Sequence, residues 1–166
     1  NSSAASDVYK RQVNISSANE EAKKLAELTQ VPVITTIMGK GALPTNHELY
    51  IGNVGMHGCY AANHAISECD LLFSIGTRFN DRITGKIDEF AKNAKIVHID
   101  IDAASISRNI QVDIPIVADA KEAMTALLKH AKPCDTKDWL EEIRGWEKEQ
   151  PLGMRKDCLL YTSDAA

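Results

Sequence analysis

The chain has 166 residues, 44% of them hydrophobic and 25% charged, with a formal net charge of −4. Aliphatic residues are too plentiful for disorder over most of that length, which suits one globular domain. The mildly acidic balance lacks the basic face that a nucleic-acid binder needs, no apolar run reaches the ~20 residues of a membrane span, and no charged-then-apolar start marks a secretory signal.

The two ends read as translated adapter DNA. Asp7–Gln12 (DVYKRQ) can be encoded GAT-GTG-TAT-AAG-AGA-CAG. The complementary strand, extended by one base, contains TGT-CTC-TTA-TAC-ACA-TCT. It translates as CLLYTS, which is Cys158–Ser163. The flanks SSAASD and DAA agree as opposite-strand readings of one longer oligonucleotide, of the kind used as a transposon-end sequencing adapter. Residues 1–12 and 158–166 are therefore expected to be adapter translation, around a natural segment Val13–Asp157 that belongs to something longer.

Within that segment, Ser17–Gln30 spaces Ala18, Ala22, Leu25 and Leu28 along one helical face, with Ser17 and Glu20 fitting a capping box. Val31–Thr36 (VPVITT) is β-branched and reads as a buried strand. The polar connection GKGALPTNHELYIGNVGMHG exceeds ordinary loop length, which predicts a functional segment or a short helix within it. Cys59–Glu68 reads as helix, Leu71–Ile75 as strand, then GTRFNDRITG, then strands at Lys95–Ile101 and Ile114–Ala118. Asp119–Lys132 is a closing helix with Asp119 as cap and Glu122 completing the box. Strands that are nearly continuous apolar runs, alternating with helices, predict an α/β fold: a parallel sheet covered on both faces. One domain should span 13–133. In 134–157 a linker, Pro133–Thr136, leads to an Asp138–Gln150 helix with Trp139, Ile143 and Trp146 on one face. That stripe packs on this domain's side or leads into a neighbouring one.

In an open parallel sheet ligands bind beyond the carboxyl ends of the strands, and the unusual segments fall there. Met38, Gly39 and Gly41 follow the first predicted strand, and Gly76, Thr77, Arg78, Phe79 and Asn80 the second. Asp100 and Asp102 close the third, and Asp119 the fourth. Glycines let a backbone approach a diphosphate, an arginine pairs with phosphate through parallel charged hydrogen bonds, and a carboxylate suits a ribose diol. Each piece also has a plain reading. Gly39 and Gly41 can simply turn the chain, Arg78 can form a surface ion pair, and Asp100 or Asp119 can cap a helix. His98 alternates inside a strand and reads as packed. The cysteines at 59, 69, 134 and 158 have neither disulfide-framework nor metal-ligand spacing, so reduced, cytosolic thiols and no metal are expected. The convergence of four strand ends supports a nucleotide-binding α/β domain.

Four stretches carry a more specific resemblance: VPVITTIMGKGALP (Val31–Pro44), GNVGMHG (Gly52–Gly58), GTRFNDRITG (Gly76–Gly85) and KIVHIDID (Lys95–Asp102). Together they resemble the central domain of acetolactate synthase (acetohydroxyacid synthase) catalytic subunits, over nearly all of Val13–Lys132. The resemblance implies a thiamine-diphosphate enzyme of three domains that condenses two 2-oxo acids, pyruvate with pyruvate or 2-oxobutanoate. Carbon dioxide is lost, at the first common step of branched-chain amino-acid biosynthesis. The implied middle domain is a Rossmann-like six-stranded parallel sheet holding FAD, which does no net redox chemistry there. The implied FAD contacts are Thr36, Ile37, Met38, Gly39, Val54, Gly55, Met56, His57, Gly76, Thr77, Arg78, Phe79, Asn80, Asp100, Ile101, Ala118 and Asp119. Met56, His57 and Arg82 would lie nearest the reaction chamber. Thiamine diphosphate, Mg2+ and the catalytic residues belong to flanking domains, and a homo-oligomer with a regulatory small subunit is implied as the assembly, in the cytoplasm.

Three positions depart from the family's pattern. Asn80 stands where Asp is frequent, and Ala118 where glycine is usual. Adapter residues stand where a first strand and glycine-rich segment belong, so the sheet is expected to be truncated at its first strand and the fragment inactive alone. Glyoxylate carboligase and pyruvate oxidase share the architecture, and a non-catalytic flavin module of the electron-transfer type has a similar fold. The GMHG and RFNDR strings favour the synthase.

Overall fold

The computed structural model describes residues 5–9 and 11–151. Its strands are β1 (Ala5–Tyr9), β2 (Val33–Thr35), β3 (Tyr50–Asn53), β4 (Leu71–Ile75), β5 (Lys95–Asp100) and β6 (Ile114–Val117). They form one sheet in the order β3-β2-β1-β4-β5-β6, every neighbouring pair parallel. All four strands expected from the apolar runs are present, three of them trimmed at their ends. Burial on both faces explains why those runs do not alternate: β5 is buried at each position from Ile96 to Asp100.

Helices α1 (Arg11–Ile15), α2 (Asn19–Thr29) and α5 (Ala120–Leu128) share one core with Val33, Ile75 and Ile99. Helices α3 (Tyr60–Glu68) and α6 (Lys137–Glu149) share the other, with Ile34, Leu72 and Ile96. The short α4 (Asp81–Thr84) follows β4.

The structure corrects five expectations. The sheet is not truncated: β1, within the residues read as adapter, lies at its centre. It pairs with β2 from Asp7↔Val33 to Tyr9↔Thr35 and with β4 from Ala5↔Leu71 to Tyr9↔Ile75. Because β2 and β4 do not pair with each other, a chain between them is what satisfies their facing N–H and C=O groups. Second, the long connection, expected to be functional or to hold a short helix, contains the edge strand β3, and the 3-10 turn Ile37–Gly39 lies only at its start. Third, the capping box is not formed. Ser17 takes a left-handed φ of 52°, and Ala18 is the N-cap without a side-chain bond. Fourth, β6 is an edge strand with Ile114 51% and Val117 59% exposed, a position that also tolerates Pro115. Fifth, the 133–136 linker is tied down: Cys134 N–H donates to the Thr29 carbonyl (3.1 Å) and the Thr136 hydroxyl to that of Gln30. It delivers α6 to α3, where Trp139 and Ile143 are buried and Trp146 packs edge-on against His64 (4.4 Å).

Candidate functional site

The strand order reverses between β1 and β4, which makes their carboxyl ends the place where a doubly wound sheet forms its ligand crevice. Gly76 leaves β4 with φ 66° and donates its N–H to the Ile99 carbonyl at 2.7 Å, pulling the chain over the end of β5. Thr77 is wholly buried. Arg78 is exposed, and its guanidinium forms no ion pair among the described residues; Asn109 Nδ2 holds its backbone carbonyl at 2.8 Å. Phe79 adopts φ 45°, an outlier for a bulky residue. The ring it carries is spent on packing against Phe90 (5.8 Å) and the buried His98 (5.1 Å). Only its backbone remains for a ligand.

Asp100 is 2% exposed. Its Oδ1 accepts from Gln12 Nε2 (2.8 Å) and from the Asp102 N–H (2.9 Å), while Oδ2 lies 3.9 Å from His98 Nε2. Ile101 beside it is 61% exposed. At the end of β6, Ala118 N–H is held by the Asp100 carbonyl at 3.2 Å. Asp119 Oδ1 accepts from the Lys121 and Glu122 N–H groups at 2.8 and 3.4 Å, so that oxygen is committed to capping α5.

On the other side of the crevice, a pocket of about 320 Å³ gathers Thr36, Ile37, Met38, Val54–His57, Asn80 and Arg82. Gly39 is buried and does not line this pocket. The loop after β3 is shaped from two directions. Asn63 grips Gly55 through both amide groups, accepting from its N–H (2.8 Å) and donating to its carbonyl (3.0 Å). Met56 N–H donates to the Arg82 carbonyl at 2.9 Å, joining this loop to α4. The structure thus brings Thr36–Met38, Val54–His57 and Asn80 into one pocket and Gly76 and Asp100 into the switch point; Ala118 and Asp119 lie further along the edge.

Thr36, Thr77 and Gln12 each hold a buried side-chain oxygen with no hydrogen-bond partner among the described residues. Thr36 stands after β2 in the same pocket as exposed Ile37 (73%), Met38 (49%) and Met56 (68%), while Thr77 and Gln12 follow β4 and β1. Orphaned buried hydroxyls ask for a ligand's donors and acceptors, and exposed apolar side chains for its flat or aliphatic part. An elongated, part-polar and part-aromatic molecule such as a dinucleotide satisfies both. Gln12, Asn63 and Asn109 were not singled out by sequence reasoning. For Asn63 the signal was present, a lone amide among the alanines of a predicted helix.

The thiols take no part in this geometry. Burial pushes the Cys59 thiol up and raises that of Cys69, near Asp70, to about 12.

Comparison with known proteins gives this arrangement a family. A sequence-family model described as "Thiamine pyrophosphate enzyme, central domain" matches residues 8–127. The "Probable acetolactate synthase large subunit" of Methanocaldococcus jannaschii is 54% identical over 134 residues, 79% of this chain and 23% of that protein. A protein of the same name from Methanococcus aeolicus is 49% identical over 148 residues, 82% of this chain and 25% of its own. The "Acetolactate synthase large subunit" of Cyanidium caldarium is 44% identical over 158 residues, 90% and 27% respectively. The chain spans about a quarter of the length of these relatives. With its doubly wound parallel sheet and the matched residues 8–127, the chain belongs to the thiamine pyrophosphate enzyme central-domain family.

Proposed function

We propose that this chain is the FAD-holding central domain of an acetolactate synthase large subunit, a thiamine-diphosphate- and Mg2+-dependent transferase of branched-chain amino-acid biosynthesis. The observation that carries the reading is the 44–54% identity to proteins of that name along the segment that builds the carboxyl-edge pocket. The natural part is residues 13–157, with 13–133 as the cofactor domain and 134–157 leading toward the next one.

FAD would lie along the carboxyl edge. The Thr36 and Thr77 hydroxyls would meet its polar atoms, and Met38 and Met56 its apolar surface. Arg78 would pair with the diphosphate and Gly76 admit it closely. When bound, the flavin supplies a flat ring system that supports the site without net redox chemistry. Asn63, through Gly55, fixes the loop carrying Met56 and His57, which with Arg82 would face the bound 2-oxo acids. Thiamine diphosphate and the metal would be held by other parts of the parent protein, which works in the cytoplasm as a homo-oligomer with a regulatory small subunit.

The test places residues 13–151 of this chain in a full-length acetolactate synthase large subunit in place of its own segment. Acetolactate formation from pyruvate is expected. A hybrid that folds and instead condenses glyoxylate would overturn the synthase reading in favour of a carboligase.

A further inference from the structure

Asn109 lies in the connection between β5 and β6, 31 residues beyond Arg78, and its Nδ2 donates to the Arg78 carbonyl at 2.8 Å. The chain on both sides of that bond is anchored in one core. Phe79 and Ile110, the residues that follow the two partners, are buried in the cluster that α3 and α6 share. Buried neighbours thus fix two exposed residues side by side at the carboxyl edge of the sheet. The backbone between them and β4 is tightly bent, with φ 66° at Gly76 and 45° at Phe79. The second value is unfavourable for an aromatic residue and persists only where its surroundings hold it. From inside, the Phe79 ring holds it by packing against Phe90 and His98. From outside, Asn109 holds the carbonyl of the peptide plane whose orientation that φ sets.

We propose that Asn109 is a positioning residue: by clamping the Arg78 carbonyl it keeps the strained turn from relaxing and holds the guanidinium at the crevice for a diphosphate. The proposal rests on the reading that this edge binds FAD and that Arg78 meets its phosphates. Both partners are exposed, so water can take over the Arg78 carbonyl once the carboxamide is removed, and little folding stability is at stake. What is lost is direction. A loosened Arg78 must be ordered again when the anion arrives, and that ordering lowers affinity. Asn109 therefore acts on the ligand through Arg78 and needs no contact of its own.

The test is a double-mutant cycle on FAD affinity in the full-length hybrid carrying residues 13–151, with Asn109→Ala, Arg78→Ala and the two together. Asn109→Ala is expected to weaken FAD binding by roughly two- to tenfold, the worth of one ordinary hydrogen bond, with the melting temperature unchanged. Added to Arg78→Ala it should weaken binding no further, whereas a merely structural loss would appear in both backgrounds. In the full 166-residue chain, free of ligand, deuterium exchange over Gly76–Gly85 should be faster in the Asn109→Ala variant. Unchanged FAD affinity, or the same loss with and without Arg78, overturns the proposal and leaves the FAD reading standing. No flavin binding by any of the hybrids removes the FAD reading instead. Exchange then decides the clamp on Arg78: faster exchange upholds it, and unchanged exchange overturns it.

Discussion

Adding a methyl group to Gly55 would place it 2.7 Å from the Arg82 carbonyl oxygen, on a backbone whose φ is 112°. A side chain is strained there whatever the space, and the atom it meets is backbone. Gly55→Ala is expected to cost roughly 1–3 kcal/mol and to free the Met56–Arg82 latch, read as a lower urea midpoint and faster amide exchange at Met56. Thiol chemistry gives a second check. With its pKa raised to about 12, Cys69 is thiolate in only about one molecule in ten thousand at pH 8. Because burial favours the neutral form, reactivity appears only as the pH climbs toward that value. Peptide mapping after brief iodoacetamide treatment should find Cys134 labelled and Cys69 intact until the chain unfolds. At this scale the sequence was informative about chemistry and poor about direction. Gly76, Arg78 and Asp100 stood out by type, but that the Phe79 ring turns into the core, or that Gln12 crosses two strand ends, is decided by tertiary packing.

Among the elements, strands with long apolar runs were legible and short or interrupted ones were not. LLFSI announced β4 without ambiguity. YIGN, four residues with a glycine inside and paired on one side only, carries no period that separates it from a loop. The Ser17 capping box failed because tertiary packing sets the entry of α2 at Ala18, whereas Asp119 caps α5 as its sequence implies. The apolar stripe of α6 was legible, yet its target was not, since that depends on how residues 133–136 are tethered to the end of α2. Ile143 is fully buried against α3, so Ile143→Ala should lower the unfolding free energy by about 2–4 kcal/mol in a denaturant titration. A change below ~0.5 kcal/mol would mean that α6 does not dock as described.

For the whole molecule, connectivity hangs on β1. It is the only bridge between the β3-β2 pair and the β4-β5-β6 group among the described strands, so deleting residues 1–9 leaves two half-sheets with facing unpaired edges. The shortened chain should lose its single cooperative melting transition, measured by circular dichroism, and associate in sedimentation. The sheet's parallel, doubly wound character was readable from alternation alone, but its completeness was not, because the first strand lies among residues 1–12, which the sequence reading had set aside as adapter translation. Every proposed role of the carboxyl edge follows from FAD lying there, and flavin absorbance after desalting tests that most directly, in the full-length hybrid carrying residues 13–151 of this chain. About one flavin per subunit is expected, with a loss of roughly tenfold or more in FAD affinity for Arg78→Ala and no change for Arg144→Ala, whose guanidinium pairs with Glu147 on α6. A folded hybrid without flavin, or equal retention by the two variants, would contradict it.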